Sequence, residues 1–327
     1  MEILTYSGFL FIIISGCFSG IFSTFFNKNK KWAWENNWLV WSVMALIVCP
    51  FIAVYFTIPD VLTVYANHPS TTGIIAALGI AWGIGALLFG KGIDSLGISL
   101  AIPIMQGLIN SIGTLVPYLM NYDSTASPSY NIPIGVLVIL LGIIIFSNAG
   151  KEKEKDTKRT SNFTKGLIIC ILAGILGPMI NFAFVLGEPL QETAIKLGTE
   201  KLFSANATWA IIFITAFIVN MLQCFYLLKK NKTIGLYKQS STINYVWAAI
   251  AGIVWYGSIF LYGIGCNYIG DNAASIGWAM MQTISIIAGN VAGIMMGEWK
   301  GASRASWTKM LIGMFFLILG VLIISMN

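Results

Sequence analysis

The sequence predicts an all-α polytopic membrane protein with ten transmembrane helices arranged as two inverted five-helix repeats. Three observations carry that prediction. Of 327 residues, 57% are hydrophobic and 10% are Asp, Glu, Lys or Arg, whereas a soluble domain carries about 25% charge. The apolar residues gather into ten long runs. Glycines and a tryptophan of the first half recur, in register, in the second.

The runs cover residues 6–26, 38–58, 74–90, 97–119, 132–149, 166–187, 205–228, 243–265, 273–296 and 308–326. A helix needs about 20 apolar residues to cross a bilayer core about 30 Å thick, so each run suffices. Barrel strands would be about 10 residues long with alternating polarity, and these runs are longer and continuous. The connections are short and leave no room for a soluble domain. A mean hydropathy of +0.80 excludes an ordinary cytosolic enzyme and a disordered chain. No basic residue precedes the first run, and no small-x-small site follows it before Lys28. It therefore reads as a retained helix and not as a cleavable signal peptide.

Orientation follows from the basic residues. The loops after odd-numbered helices hold seventeen of the nineteen Lys and Arg, within residues 28–31, 91, 151–165, 229–238 and 300–309. Only Lys196 and Lys201 lie elsewhere. Lys and Arg stay cytoplasmic, which puts both termini outside the cell (inner) membrane. The net charge of +6 is then topological. Lipid is the expected surrounding, and a nucleic-acid partner is not needed to explain the charge. The five cysteines, Cys17, Cys49, Cys170, Cys224 and Cys266, form no CxxC pair and lie in or beside apolar runs. Core packing fits them better than disulfides or metal ligation.

The repeat is read from spacing. Gly8 and Gly16 recur 158 positions later as Gly166 and Gly174. Trp82, Gly90 and Gly97 recur after 173 positions as Trp255, Gly263 and Gly270. Gly135, Gly142 and Ser147 recur after 178 positions as Gly313, Gly320 and Ser325. The halves are 1–150 and 166–327, joined by a charged cytoplasmic linker at 151–165 that contains KEKEKDTKRT. Five helices per half is an odd number, so the second half enters the membrane inverted. Inverted repeats around a midplane site are a transporter architecture.

Small residues at Gly16-x-x-x-Gly20, Gly79-x-x-x-Gly83 and Gly289-x-x-x-Gly293-x-x-x-Gly297 are spaced for close helix approach. Pro50, Pro103, Pro117 and Pro178 each remove a backbone hydrogen bond inside a run. Gly177-Pro178 is the sharpest break, and it fits a packing kink or a cavity wall equally.

None of the thirteen acidic residues sits mid-span, and the single histidine, His68, lies in an outer loop. The spans therefore offer no catalytic acid pair and no metal site, and no cofactor is expected. Neutral polar and aromatic groups remain. Gln106 and Asn110 are one turn apart, Asn181 follows Pro178, and Asn220 and Gln223 share a run. Trp278, Gln282 and Asn290 share another, and Trp82, Trp255 and Tyr256 complete the set. Amides donate and accept, which suits a ring of hydroxyls, and aromatic faces suit the apolar face of a sugar. Each amide can equally serve interhelical hydrogen bonding. The set as a whole points to an uncharged, polyhydroxylated solute.

Lys30-Lys31-Trp32-Ala33-Trp34-Glu35 followed by Trp38, then Trp82-Gly83-Ile84-Gly85, then Gly297-Glu298-Trp299-Lys300 before Arg304, together resemble the L-rhamnose/proton symporter family. That family belongs to the drug/metabolite transporter superfamily, whose ten-helix members are built from two inverted five-helix repeats. The resemblance spans nearly the whole chain. Two positions depart from the family pattern: Ala86 stands where Asn is expected, and Met281 where His is expected. The resemblance implies import of a neutral sugar, L-rhamnose first, together with protons. A glucose-type uptake permease or a neutral-metabolite exporter of the same superfamily is the alternative. No enzyme activity is implied. With no mid-span carboxylate, Glu35 and Glu298 in the matching motifs are the proton-coupling candidates, although both also suit interface anchoring beside Trp32, Trp34 and Trp299. The expected substrate-binding residues are Trp82, Gln106, Asn110, Asn181, Asn220, Trp255, Trp278 and Gln282.

Overall fold

A computed structural model describes residues 2–96, 98–120, 130–153, 163–239, 241–270, 272–297 and 299–326. Among them there is no strand, and ten helices are long and apolar enough to cross a membrane. They are α1 (Tyr6–Lys28), α2 (Trp34–Thr57), α3 (Pro69–Leu96), α4 (Ala101–Met120), α5 (Asn131–Ala149), α6 (Thr164–Lys196), α7 (Lys201–Lys230), α8 (Thr242–Ile269), α9 (Ala273–Met295) and α10 (Arg304–Ser325). Each overlaps one of the ten apolar runs, so the protein is a multi-pass membrane protein. Most of the linker motif KEKEKDTKRT, together with Gly97 and Glu298, lies outside the described residues.

Several helices outrun their apolar stretches. Helix α3 begins at Pro69 and continues past Lys91 and Asp94, both exposed. Hydropathy marks only the part inside the hydrocarbon core, and the polar ends reach the interface. Proline accounts for the interruption in α2. Pro50 has no N–H to return to the Leu46 carbonyl and its ring crowds that group. The helix widens into a π-turn over Met44–Val48 just before it. In α6 the break at Gly177-Pro178 divides Phe163–Leu176 from Met179–Leu186, and Glu188–Lys196 follows after Gly187. Helix α8 ends at Gly270, whose φ of +83° suits a residue without Cβ.

Helix α1 packs against α8 and α9, and α6 packs against α3 and α4. Helix α2 meets α7, and α5 meets α10. Glycines set the closest of these approaches. A Cβ on Gly142 would lie 3.0 Å from the Gly313 carbonyl oxygen, and one on Gly320 would lie 2.8 Å from that of Gly135. Such contacts replace lipid–helix contacts with denser helix–helix ones. Burial is uneven along the bundle axis. Every residue of α9 from Ala273 to Met281 is buried, whereas Ile284–Asn290 are only partly so. The end of the bundle holding the α8–α9 turn is therefore the more tightly closed.

Candidate functional site

A cavity of about 220 Å³ lies in the middle of the bundle. Its walls come from α1 (Ser19), α2 (Trp38), α3 (Trp82, Gly85, Ala86, Phe89) and α4 (Gln106, Ile109). Ala173, Gly177 and Ile180 of α6, Trp255 and Ile259 of α8, and Trp278, Met281 and Gln282 of α9 complete them. Among the described residues, none that lines it is charged. The volume falls below the roughly 300–1,000 Å³ of drug-sized pockets and suits a single small ring.

The sequence candidates divide into two groups. Trp82, Gln106, Trp255, Trp278 and Gln282 are brought together on the cavity wall. Both Gln106 and Gln282 line the cavity, and neither side-chain amide has a hydrogen bond among the described residues. Asn110, Asn181 and Asn220 lie outside the wall, buried between helices. Asn110 Nδ2 donates to Thr283 Oγ1 at 3.3 Å, and its Oδ1 accepts from Thr114 Oγ1 at 3.3 Å. Asn181, fully buried, donates from Nδ2 to the carbonyls of Gly113 (2.9 Å) and Ala274 (3.1 Å) and accepts from the Tyr262 hydroxyl at 2.5 Å. Asn220 Oδ1 accepts from Trp38 Nε1 at 2.8 Å, and its Nδ2 donates to the Ala216 carbonyl at 2.9 Å. These three amides hold helices together, and Asn220 additionally fixes a cavity tryptophan by its edge.

The aromatic side of the cavity is a connected stack. Trp38 and Trp41 lie 4.3 Å apart, Trp41 meets Trp255 edge-on at 5.1 Å, and Trp255 stacks on Trp82 at 5.5 Å. Trp278 is fixed from the other side, its Nε1 donating to the Ile109 carbonyl at 3.1 Å. Sequence reasoning missed Trp38, Ser19 and Phe89 as wall residues. Trp38 was visible only as part of a cytoplasmic motif, and Ser19 and Phe89 have no signal apart from their helical phase.

Glu35 is the one buried carboxylate among the described residues, 3% exposed. Its Oε1 accepts from Thr233 Oγ1 at 2.6 Å and from Asn231 Nδ2 at 3.0 Å. Beside it Asn36 Nδ2 donates to the Thr233 carbonyl at 3.1 Å, and the Tyr237 hydroxyl donates to the Asn36 carbonyl at 3.1 Å. Burial pushes the Tyr237 phenol well above its usual range, so it remains the donor. The cluster clasps the start of α2 to the α7–α8 connection, away from the cavity. The second coupling candidate, Glu298, lies outside the described residues.

The sequence as a whole matches the family model described as L-rhamnose-proton symport protein, over residues 1–327. The chain belongs to the L-rhamnose-proton symport protein family. Its similarity to individual members extends over nearly the whole length. It is 27% identical to the L-rhamnose-proton symporter of Cronobacter sakazakii and 28% identical to that of Escherichia coli, covering 98% of this chain and 97% of each relative. The Citrobacter koseri L-rhamnose-proton symporter is 27% identical over the same shares.

Proposed function

We propose that this protein imports L-rhamnose with protons across the cell (inner) membrane, with both termini outside. The observation that carries the reading is the central cavity, with no charge among its described wall residues, lined by stacked tryptophans and by two glutamines whose amides have no hydrogen bond among the described residues. Indole faces pack on the C–H face of a pyranose, and each free amide can both donate to and accept from ring hydroxyls. A cavity without charge suits a neutral solute, since an ion there would lack a partner. Whole-length similarity to proteins named L-rhamnose-proton symporters supports the choice of sugar.

We further propose that residues 1–150 and 166–327 are inverted repeats that exchange conformations during transport. Contacts between helices recur in pairs related by the repeat offsets, and one of them joins two related positions directly. Trp82 stacks on Trp255. Gly135 abuts Gly320 while Gly142 abuts Gly313. Gly8 faces Tyr268 and Ile269, and Gly166 faces Ser95 and Leu96, which precede those two residues by 173 positions. The cavity glutamines, Gln106 and Gln282, are likewise 176 positions apart.

The ends of the cavity differ in the way alternating access requires. At the outer end Tyr262, 1% exposed, bridges α8 to Asn181 of α6. Its counterpart 173 positions earlier is Phe89, a half-buried residue of the cavity wall. Tyr262 acts as the closed outer gate and Phe89 as the withdrawn inner gate of a cytoplasm-facing state.

Purified protein reconstituted in liposomes tests the reading. Labelled L-rhamnose should accumulate when the lumen is alkaline relative to the bath, and unlabelled L-rhamnose should compete. Failure of both would reject the rhamnose-import reading.

A further inference from the structure

The cavity is paired in plan but unequal in chemistry at its two poles. Where α1 meets α9, Ser285 Oγ donates to Ser19 Oγ at 3.2 Å. The corresponding positions in the other half are Gly177, 158 after Ser19, and Ile109, 176 before Ser285. These two also touch, since a Cβ on Gly177 would lie 2.5 Å from Ile109 Cγ1. One pole thus carries two hydroxyls where the other carries a glycine and an isoleucine.

Ala173 and Ile180, about one turn before and after Gly177, extend the apolar pole along α6. Two of its backbone acceptors are already occupied. The Ile109 carbonyl accepts from Trp278 Nε1 at 3.1 Å, and the Ala173 carbonyl accepts from the Gly177 N–H at 2.9 Å. No side chain of this wall can donate to or accept from a hydroxyl. A hexose turning its hydroxymethyl group here would strip that hydroxyl of water and find no side-chain partner among these four residues. A methyl group would lose nothing.

We propose that Ile109, Ala173, Gly177 and Ile180 form a subsite for the C6 methyl of a 6-deoxyhexose and discriminate against the corresponding 6-hydroxy sugar. The proposal rests on the reading of the cavity as a sugar site. L-rhamnose is the 6-deoxy form of L-mannose, so the two sugars differ at this one atom.

Binding to the purified protein should be titrated for two such pairs, L-rhamnose with L-mannose and L-fucose with L-galactose. An apolar pocket rejects an added hydroxyl by up to about 100-fold, so the deoxy member of a binding pair should be preferred by about 10- to 100-fold. Ala173→Ser and Ile180→Thr each put a hydroxyl into the wall. Recovery of one hydrogen bond should shrink the preference by about 2- to 13-fold. Both sugars are measured on the same variant, so any loss of folded protein cancels from the ratio. Equal affinity within each pair, an unchanged ratio in both variants, or no binding of any of the four sugars would overturn the proposal. A deoxy preference confined to the L-fucose pair would uphold the subsite while rejecting L-rhamnose as the solute.

Discussion

Trp82 and Trp255 stack in the cavity wall with ring centroids 5.5 Å apart and planes 27° from parallel. They stand 173 positions apart in the sequence, the same separation as Gly90 and Gly263. Residues that correspond in two inverted halves can touch only near the axis that relates those halves, so this contact fixes where the axis would run. A solute held there would meet one tryptophan from each half.

The amides of the cavity wall and the amides buried between helices should respond differently to truncation. Gln106→Ala and Gln282→Ala each remove one partner of the sugar and should weaken L-rhamnose binding by about 2- to 13-fold, equivalent to about 0.5–1.5 kcal/mol. Their melting temperatures should stay close to that of the unaltered protein. Asn181→Ala instead removes the short acceptor of the Tyr262 hydroxyl and strands the Gly113 carbonyl, leaving Tyr262 only its 3.3 Å bond to the Ala274 carbonyl, and should cost about 1–3 kcal/mol of stability. Calorimetric titration together with thermal unfolding in detergent checks both halves of the prediction. Equal binding losses without any melting shift in all three variants would contradict the division.

The gate assignment predicts effects of opposite sign. Tyr262→Phe removes only the hydroxyl, which reaches Asn181 at 2.5 Å and the Ala274 carbonyl at 3.3 Å. Losing the shorter bond alone should shift the balance toward the outward-open state by about 2- to 13-fold. Phe89→Ala removes the group that would close the inner end, and should shift the balance the other way. A single cysteine at Ala274, in a background without the five native cysteines, reports the balance through its labelling rate with an impermeant maleimide added outside. Tyr262→Phe should raise that rate and Phe89→Ala should lower it. If neither variant moves the rate, the gates lie elsewhere.

Much of this architecture was legible in the sequence because a bilayer imposes one-dimensional rules. Ten apolar runs became ten helices, and the Gly177-Pro178 dipeptide marked a real break, since proline chemistry is local. The division among amides was not legible. Asn110 and Gln106 are one turn apart on α4, yet only Gln106 lines the cavity, because Thr283 of α9 and Thr114 of α4 take up the Asn110 amide. That outcome depends on which helix lies opposite, which a single sequence does not state. Trp38 was hidden for the same reason. Its place in the wall is set by Asn220, 182 residues away.

Topology can be checked independently of transport. Seventeen of nineteen basic residues fall in the loops after odd-numbered helices, which predicts a cytoplasmic position for those loops. Alkaline phosphatase fused after Asn327 should be active, and a green fluorescent protein fused there should be dark. The same reporters inserted near Thr157 should give the reverse pattern. A fluorescent carboxy-terminal fusion would invert the assignment, and with it the identity of the outer gate.

Proton coupling makes the most demanding prediction, because no carboxylate lines the cavity among the described residues. Glu35 accepts two side-chain hydrogen bonds, from Thr233 and Asn231, on one oxygen. Such bonds are roughly twice as strong to a charged acceptor as to a neutral one. Protonation of Glu35 would therefore loosen the clasp between α2 and the α7–α8 connection, and deprotonation would tighten it. A proton taken up outside and released inside could in this way favour one state of the bundle at each surface. Glu35→Gln mimics the protonated form permanently. This variant should exchange labelled L-rhamnose between equal pools at close to the normal rate. A gradient of one pH unit is worth about 1.4 kcal/mol per proton, enough for up to about tenfold accumulation at one proton per sugar, and the variant should show none of it. Glu298→Gln serves as the comparison. If Glu35→Gln accumulates sugar normally while Glu298→Gln does not, coupling belongs to Glu298 and the Glu35 clasp is only structural. If the unaltered protein itself equilibrates sugar without regard to the pH gradient, it works as a facilitator, and neither carboxylate carries a transported proton.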